Sequence, residues 1–345
     1  MTRVLIVDDS AVVRKTLARE LERDPELTVV GTAADAYAAR ALILQTKPHV
    51  VTLDLDMPRM NGLTFLEKLM RHHPLPVLVV SSLADRGSDA AMRALELGAL
   101  DVIAKPERAY RVGDVIETLR RQIKLAALTD VRKLAQARRR PLAAPPPPID
   151  PQHQRLVVIA ASTGGPQAIE TIVRQFPAGG PPTLIVQHMP AGFTRAFARR
   201  LDRLGPMTAR EARAGDRPSA GLILVAPGGQ HMRLAATDGD LRIELTQDPP
   251  LHFQRPSADH LFASAAAHLG AQAIGVVLTG MGVDGAEGLW AVRQAGGTTI
   301  AQDEATAVVF GMPQEAIARG AAEQVLALEA IAAATLEAAR VKRAA

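Results

Sequence analysis

Three side chains in the second half of the chain, Ser162, His188 and Asp284, are the types that together make an activated nucleophile. A serine hydroxyl attacks poorly until a neutral imidazole takes its proton. A carboxylate then fixes the tautomer of that imidazole and stabilises its charged form. Five residues of the first half, Asp8, Asp9, Asp54, Ser81 and Lys105, suit another chemistry. Three neighbouring carboxylates repel one another and call for a hard cation with oxygen ligands, for which Mg2+ is the match. A carboxylate beside Mg2+ and a lysine can attack a phosphoryl group, because both cations neutralise charge on the transferring oxygens.

Both sets need elements that bring them together. In the stretch LVVIAASTGG, 156–165, an apolar β-branched run ends at Ser162, and two glycines and Pro166 lead into a helical pattern. A serine at such a turn stands beside the unpaired N–H groups of a helix start; the competing reading makes it a plain helix N-cap. LIVQ at 184–187 reads as a strand ending at His188, and IGVVL at 274–278 as one followed by TGMGVDGAEG, which carries Asp284. Strand ends of one parallel sheet share an edge, so the three residues can meet there. Taken singly, His188 could be a satisfied histidine at a strand end and Asp284 a turn residue between glycines. His231, His252 and His260 are the other bases available. His231, after Gly228-Gly229, is the strongest rival, and His188 is favoured because its strand is buried and next in order to that of Ser162. Glycines 280, 282 and 285 let backbone N–H groups near Met281 approach a developing oxyanion. Further strands are expected at 222–226 and 298–301, a hairpin at 231–236 and 241–246, and a closing Ala- and Leu-rich helix over 324–340.

The first half alternates strand and helix five times, with strands expected at 3–7, 27–31, 50–53, 77–80 and 101–104 and helices between them, including 11–21 and 62–70. Asp8, Asp9, Asp54, Ser81 and Lys105 all lie just past strand ends. For the Asp8-Asp9 pair alone, helix capping is the simpler account; five polar strand-end positions are not explained by capping. The chain of 345 residues suits two domains, and 48% apolar residues fill two cores. Between them lies QARRRPLAAPPPPIDP, basic and then proline-rich, which reads as an extended spacer. The expected boundaries are 1–125, a linker over 126–154, and 155–345. With no cysteine, disulfides and thiolate chemistry are excluded. With no signal peptide or membrane-spanning run in view, the protein is expected to be cytoplasmic.

VDDS at 7–10, LDLDMPRMNG at 53–62, VSS at 80–82 and AKP at 104–106 resemble a response-regulator receiver domain. That resemblance implies Asp54 as phospho-acceptor and Mg2+ on Asp9, Asp54 and the backbone carbonyl of Asp56, with Asp8 helping through water. It implies Ser81 as the switch hydroxyl and Lys105 as the pairing lysine. Val102 replaces the switch aromatic of many receivers, and Asn61 a common turn aspartate. ASTGGP at 161–166, QHMPAGFTRAFARRL at 187–201, RPSAD at 255–259, LTGMGVDGA at 278–286 and VVFGMPQEA at 308–316 resemble the CheB-type chemotaxis protein-glutamate methylesterases.

The two resemblances together cover nearly the whole chain. They imply an α/β architecture of two doubly wound parallel-sheet domains: a flavodoxin-like receiver, and a Rossmann-like methylesterase domain with an inserted antiparallel hairpin. The implied reaction is hydrolysis of γ-glutamyl methyl esters on chemoreceptor cytoplasmic helices, with deamidation of particular glutamines. Ser162 would be the nucleophile, His188 the base and then the acid, and Asp284 the orienting carboxylate. Thr163 and Met281 match positions lining that site, and Val283 replaces a residue that is polar in many relatives. Mg2+ would serve the receiver alone, with no cofactor for the esterase, and a chemotaxis histidine kinase would be the phosphodonor. The unphosphorylated receiver would pack over the esterase site. Neither nucleic acid binding nor membrane insertion is expected. The rival reading is a receiver-controlled regulator that grips nucleic acid through Arg138 to Arg140, or a nucleotide at Gly164-Gly165.

Overall fold

Runs of Val, Ile and Leu become the central strands because parallel strands are covered on both faces and need no polar alternation. In the computed structural model, which describes residues 1–81, 85–105, 112–129, 131, 155–237 and 240–340, the chain forms two units, residues 1–139 and 140–345. The first holds β1 (Thr2–Val7), α1 (Ala11–Leu21), β2 (Leu27–Ala33), α2 (Ala36–Thr46), β3 (Val50–Leu53), α3 (Gly62–His72), β4 (Val77–Ser81), α4 (Asp85–Leu97), β5 (Asp101–Ala104) and α5 (Val112–Ala126). Its sheet is ordered β2-β1-β3-β4-β5 and all parallel. Every side chain of β3 and β4 is buried, so these strands form the floor of the domain. The winding reverses at β1, which places the crevice where ligands bind at the carboxyl ends of β1 and β3.

The second unit holds β6 (Leu156–Ala161), α6 (Gly165–Val173), β7 (Thr183–Gln187), α7 (Phe193–Leu204), β8 (Thr208–Glu211), β9 (Leu222–Val225), β10 (His231–Thr237), β11 (Asp240–Thr246), α8 (Ala258–Leu269), β12 (Ala273–Val277), α9 (Ala286–Gln294), β13 (Thr298–Gln302), α10 (Met312–Ala318), β14 (Gln324–Leu326) and α11 (Leu328–Ala339). Seven parallel strands run β14-β13-β12-β6-β7-β9-β8, and β10 pairs antiparallel with β11 as the inserted hairpin. Phe176, Phe193, Phe197 and Phe262 are fully buried around the sheet; burying such side chains contributes roughly 1.5–3 kcal/mol each. The first strand of the unit, β6, lies between β7 and β12, so the winding reverses beside it. The carboxyl end of β6 is therefore the switch point.

Two elements differ from expectation. The helix expected over 324–340 begins only at Leu328; Gln324, Val325 and Leu326 pair instead with Ile300, Ala301 and Gln302 at the sheet edge. Good helix propensity yields there to an open edge that can take three more residues. The four-residue strand β8 carries no apolar run and was not expected from the sequence. Most of the basic, proline-rich stretch, at 132–154, lies outside the described residues.

Candidate active site

Ser162 follows a strand whose six residues are all buried. Its N–H donates to the Thr279 carbonyl at 3.0 Å, and its own carbonyl takes the Gly165 N–H at 2.8 Å and the Gln187 side-chain amide at 2.9 Å. The turn admits only glycine at two places. Gly164 stands at φ 77°, where a Cβ would meet Val308 at 2.4 Å, and a Cβ on Gly165 would meet Gln187 Oε1 at 2.1 Å. The N-cap of α6 is Gly164, with no side-chain bond to the helix. The Ser162 hydroxyl therefore does not cap α6.

In the parallel register Ala161 pairs with Gln187, and the His188 N–H donates to the Ala161 carbonyl at 3.0 Å. Ser162 and His188 thus stand at adjacent strand ends, where neighbouring strands lie about 4.8 Å apart. His188 Nε2 is 2.7 Å from Asp284 Oδ2, and both side chains are buried. Asp284 also accepts the Ser257 hydroxyl at 2.6 Å and the N–H groups of Ala258 at 2.7 Å and Asp259 at 3.2 Å. Burial alone would raise its pKa. The bond and charge of His188, with Ser257 and Ala258, outweigh that and lower it to about 2. An ionised Asp284 makes Nε2 the protonated nitrogen. Nδ1, buried and without a hydrogen-bond partner among the described residues, is left with its lone pair to receive a proton.

His231, the rival base, has both nitrogens engaged. Nδ1 accepts the Ser257 N–H at 3.2 Å, and Nε2 lies 3.2 Å from the Pro249 carbonyl. Burial pushes its pKa down. It stands behind Ser257 as a neutral brace. His260 packs against it with ring centroids 4.1 Å apart and planes tilted by 58°, and His252 lies beside Asp259.

Thr163 is buried, and its carbonyl accepts the Thr279 hydroxyl at 2.9 Å. Gly280 packs against Ser162: a Cβ there would lie 2.8 Å from Ser162 Cβ. Half-buried Met281 follows, then Gly282 at φ 90°. Val283 is 39% exposed, so its side chain is not part of the buried arrangement.

In the first unit, oxygens of Asp8, Asp9 and Asp54 lie within 4.8 Å of one another. Asp8 and Asp54 are buried, whereas Asp9 is exposed. Lys105 Nζ sits 2.9 Å from Asp8 and 2.7 Å from Asp54. Burial raises the pKa of Asp54 against the opposing pull of Lys105. The lysine's own pKa, which burial would lower, is raised by the two carboxylates. The Asp56 N–H donates to Asp54 Oδ1 at 3.3 Å. Gly62 lets α3 start against this turn, since a Cβ there would fall 2.4 Å from the Asp54 carbonyl. The Ser81 hydroxyl is fully buried with no hydrogen-bond partner among the described residues. Three hard-oxygen donors around one point fit a divalent cation.

Residues 157–335 match the CheB methylesterase family model, and residues 4–117 match the response regulator receiver domain. The chain belongs to the CheB methylesterase family. A protein-glutamate methylesterase/protein-glutamine glutaminase of Pseudomonas aeruginosa is 48% identical over 338 residues, covering 97% of this chain and 96% of the relative. One of Bordetella parapertussis is 49% identical over 331 residues, 94% of each chain. The solved CheB methylesterase catalytic domain of Thermotoga maritima is 39% identical with a TM-score of 0.52, covering 53% of this chain and 98% of that one.

These similarities give no support to a nucleotide- or nucleic-acid-binding regulator. Arg138 to Arg140 lie outside the described residues. In this CheB-type chain, sequence reading missed the functional neighbours Gln187, Ser257, Asp259 and Thr279. The run Ser257-Ala258-Asp259 before an apolar helix is a capping signature, and that signal could have marked α8 as an element facing the site.

Proposed function

We propose that this chain is a phosphorylation-activated protein-glutamate methylesterase that also deamidates glutamines of the same substrates, with Ser162 as nucleophile. The observation that carries the reading is the buried His188–Asp284 pair, with Nδ1 lacking a partner among the described residues at the strand end adjacent to Ser162. Ser162 Oγ attacks the ester carbonyl while His188 Nδ1 takes its proton. Asp284 holds Nε2–H and stabilises the imidazolium. The N–H groups around Thr163 and Met281 take the oxyanion side, where one donor is worth about 3–4 kcal/mol of transition-state stabilisation. His188 gives its proton to the leaving methoxide oxygen as its C–O bond breaks, so that methanol departs, or to the leaving nitrogen of a glutamine, so that ammonia departs. It then activates the water that frees the γ-carboxylate.

The receiver supplies the control. Asp54 is the phospho-acceptor, Lys105 pairs with the phosphoryl oxygens, and Ser81, whose hydroxyl has no partner among the described residues, turns toward them. Asp8, Asp9, Asp54 and the Asp56 carbonyl would hold Mg2+, which neutralises charge on the incoming phosphoryl group. The phosphodonor is a chemotaxis histidine kinase, and the substrates are the cytoplasmic helices of methyl-accepting chemoreceptors. The enzyme works in the cytoplasm; no described helix is long and apolar enough to cross a membrane. A phosphoryl group adds about two negative charges, and each tenfold rise in the active fraction at low occupancy needs only about 1.4 kcal/mol of differential stabilisation.

Methanol release from methylated receptor fragments, with and without a small phosphodonor, tests this control. Asp54→Ala is expected to keep basal release and lose the stimulation. Equal stimulation of variant and wild type would overturn the control reading.

A further inference from the structure

The two helices that meet at the acid end of the site carry no caps of their own. Ser257, before α8, makes no side-chain bond to its helix, and Gly285, before α9, has no side chain to offer. Each helix start is capped by a carboxylate from the other. Asp284, one residue ahead of the α9 cap, accepts the Ala258 and Asp259 N–H groups of α8 together with the Ser257 hydroxyl. Asp259, in the first turn of α8, accepts the Gly285 N–H at 3.0 Å and the Gly288 N–H at 2.7 Å on one oxygen, Oδ1. Both carboxylates thereby lie against the positive ends of helices. The helices approach closely enough to require glycine: a Cβ on Gly288 would fall 2.6 Å from Phe262 Cβ and 3.0 Å from Asp259 Cα.

We propose that Asp259 is a positioning residue for the esterase reaction: by holding Gly285 and Gly288 it fixes the turn that carries Asp284, and so the direction from which Asp284 meets His188. The inference rests on the Ser162–His188–Asp284 reading. Asp284 stands between Gly282 and Gly285, both at φ 90°. A turn with glycine on both sides has little stiffness of its own, so its geometry must be imposed from outside. Asp259 does this on the helix side, and it is itself 6% exposed and held by α8.

The second effect of Asp259 is its charge. It faces Asp284, which in turn bonds His188. His252 Nε2 is 3.2 Å from its other oxygen, Oδ2. On its own helix comes His260, which packs against His231 of β10 with Arg233 alongside, while Glu287 of α9 is exposed. Burial, and next the charge of Asp284, push Asp259 up to about 6. Near neutral pH Asp259 therefore adds a second negative charge behind Asp284.

The test uses the full-length chain without phosphodonor, methanol release from methylated receptor fragments as the readout, and Ser162→Ala as control. Asp259→Ala is expected to lower kcat roughly 10- to 100-fold with KM within about twofold, as a displaced catalytic group does. Asp259→Asn offers an oxygen to the same two N–H groups. It should hold kcat within about threefold, while the acid limb of kcat/KM moves to lower pH because a negative charge near His188 is gone. An unimpaired Asp259→Ala, or an Asp259→Asn as damaged as the alanine variant, overturns the inference. Should the alanine variant not fold, the acid limb of Asp259→Asn decides: a downward shift supports the inference, and an unmoved limb contradicts it. Activity surviving in Ser162→Ala overturns the triad reading and this inference with it. A dead Ser162→Ala beside an unimpaired Asp259→Ala overturns this inference alone.

Discussion

A buried carboxylate usually avoids its charge, yet Asp284 keeps it, because three donors and an imidazole converge on its two oxygens. Its neighbour Asp259 is pushed the other way, and the opposite shifts have opposite signs in stability. Asp284, with a folded pKa of about 2 against roughly 3.9 in an unfolded chain, contributes stability that is present above pH 4 and lost as the pH falls toward 2. Asp259, at about 6, holds its proton better when folded, so its contribution is lost as the pH rises from 4 through 6. Asp259→Asn is therefore expected to gain thermal stability relative to wild type above pH 6, with the difference shrinking toward pH 4. A difference independent of pH would contradict this. At the catalytic end, Asp284→Asn leaves the shape but upsets the tautomer of His188, and kcat should fall by roughly 10^4-fold in the methanol assay. The placement of Ser162, His188 and Asp284 at one sheet edge was legible in the sequence because each follows a recognisable strand. Asp259 was not, since an acid in the first turn of a helix ordinarily caps its own helix, and only packing against α9 gives it another partner.

Among the elements, the glycine turns after β6 and β12 do most to set the site. Gly280→Ala would drive a Cβ to 2.3 Å from Met312 Sδ and 2.8 Å from Ser162 Cβ. Overpacking of this kind costs about 1–3 kcal/mol, so the denaturation midpoint should fall at unchanged slope, and esterase activity should fall with it. A variant of wild-type stability and activity would show that the turn has room to spare. Apolar runs made the inner strands readable, and the glycine turn Thr237-Asp238-Gly239-Asp240 between two runs made the hairpin readable. The edge strands β8 and β14 were not: Thr208–Glu211 has no apolar run, and Gln324–Leu326 opens an Ala- and Leu-rich stretch that reads as helix. Pairing to an exposed edge is a tertiary effect that short windows of sequence do not carry.

At the scale of the whole molecule, the chain joins two parallel-sheet units with separate chemistries: a carboxylate and lysine cluster in residues 1–139 and a hydroxyl, imidazole and carboxylate set in residues 140–345. Both sites lie where the sheet winding reverses. If the acidic cluster holds Mg2+, the cation should stabilise the first unit alone. At ten times its dissociation constant a ligand adds about 1.4 kcal/mol, so calorimetry should show one of two unfolding transitions rising with Mg2+ and falling back with a chelator. Asp9→Asn should blunt that rise. A parallel rise of both transitions would place the cation elsewhere.

The central claim, that Ser162 is the nucleophile of a protein-glutamate methylesterase, is tested most directly by the rate at which Ser162→Ala frees methanol from methylated chemoreceptor fragments, measured against wild type. The account predicts a loss of roughly 10^4-fold or more. A variant that stays within tenfold of wild type would contradict it.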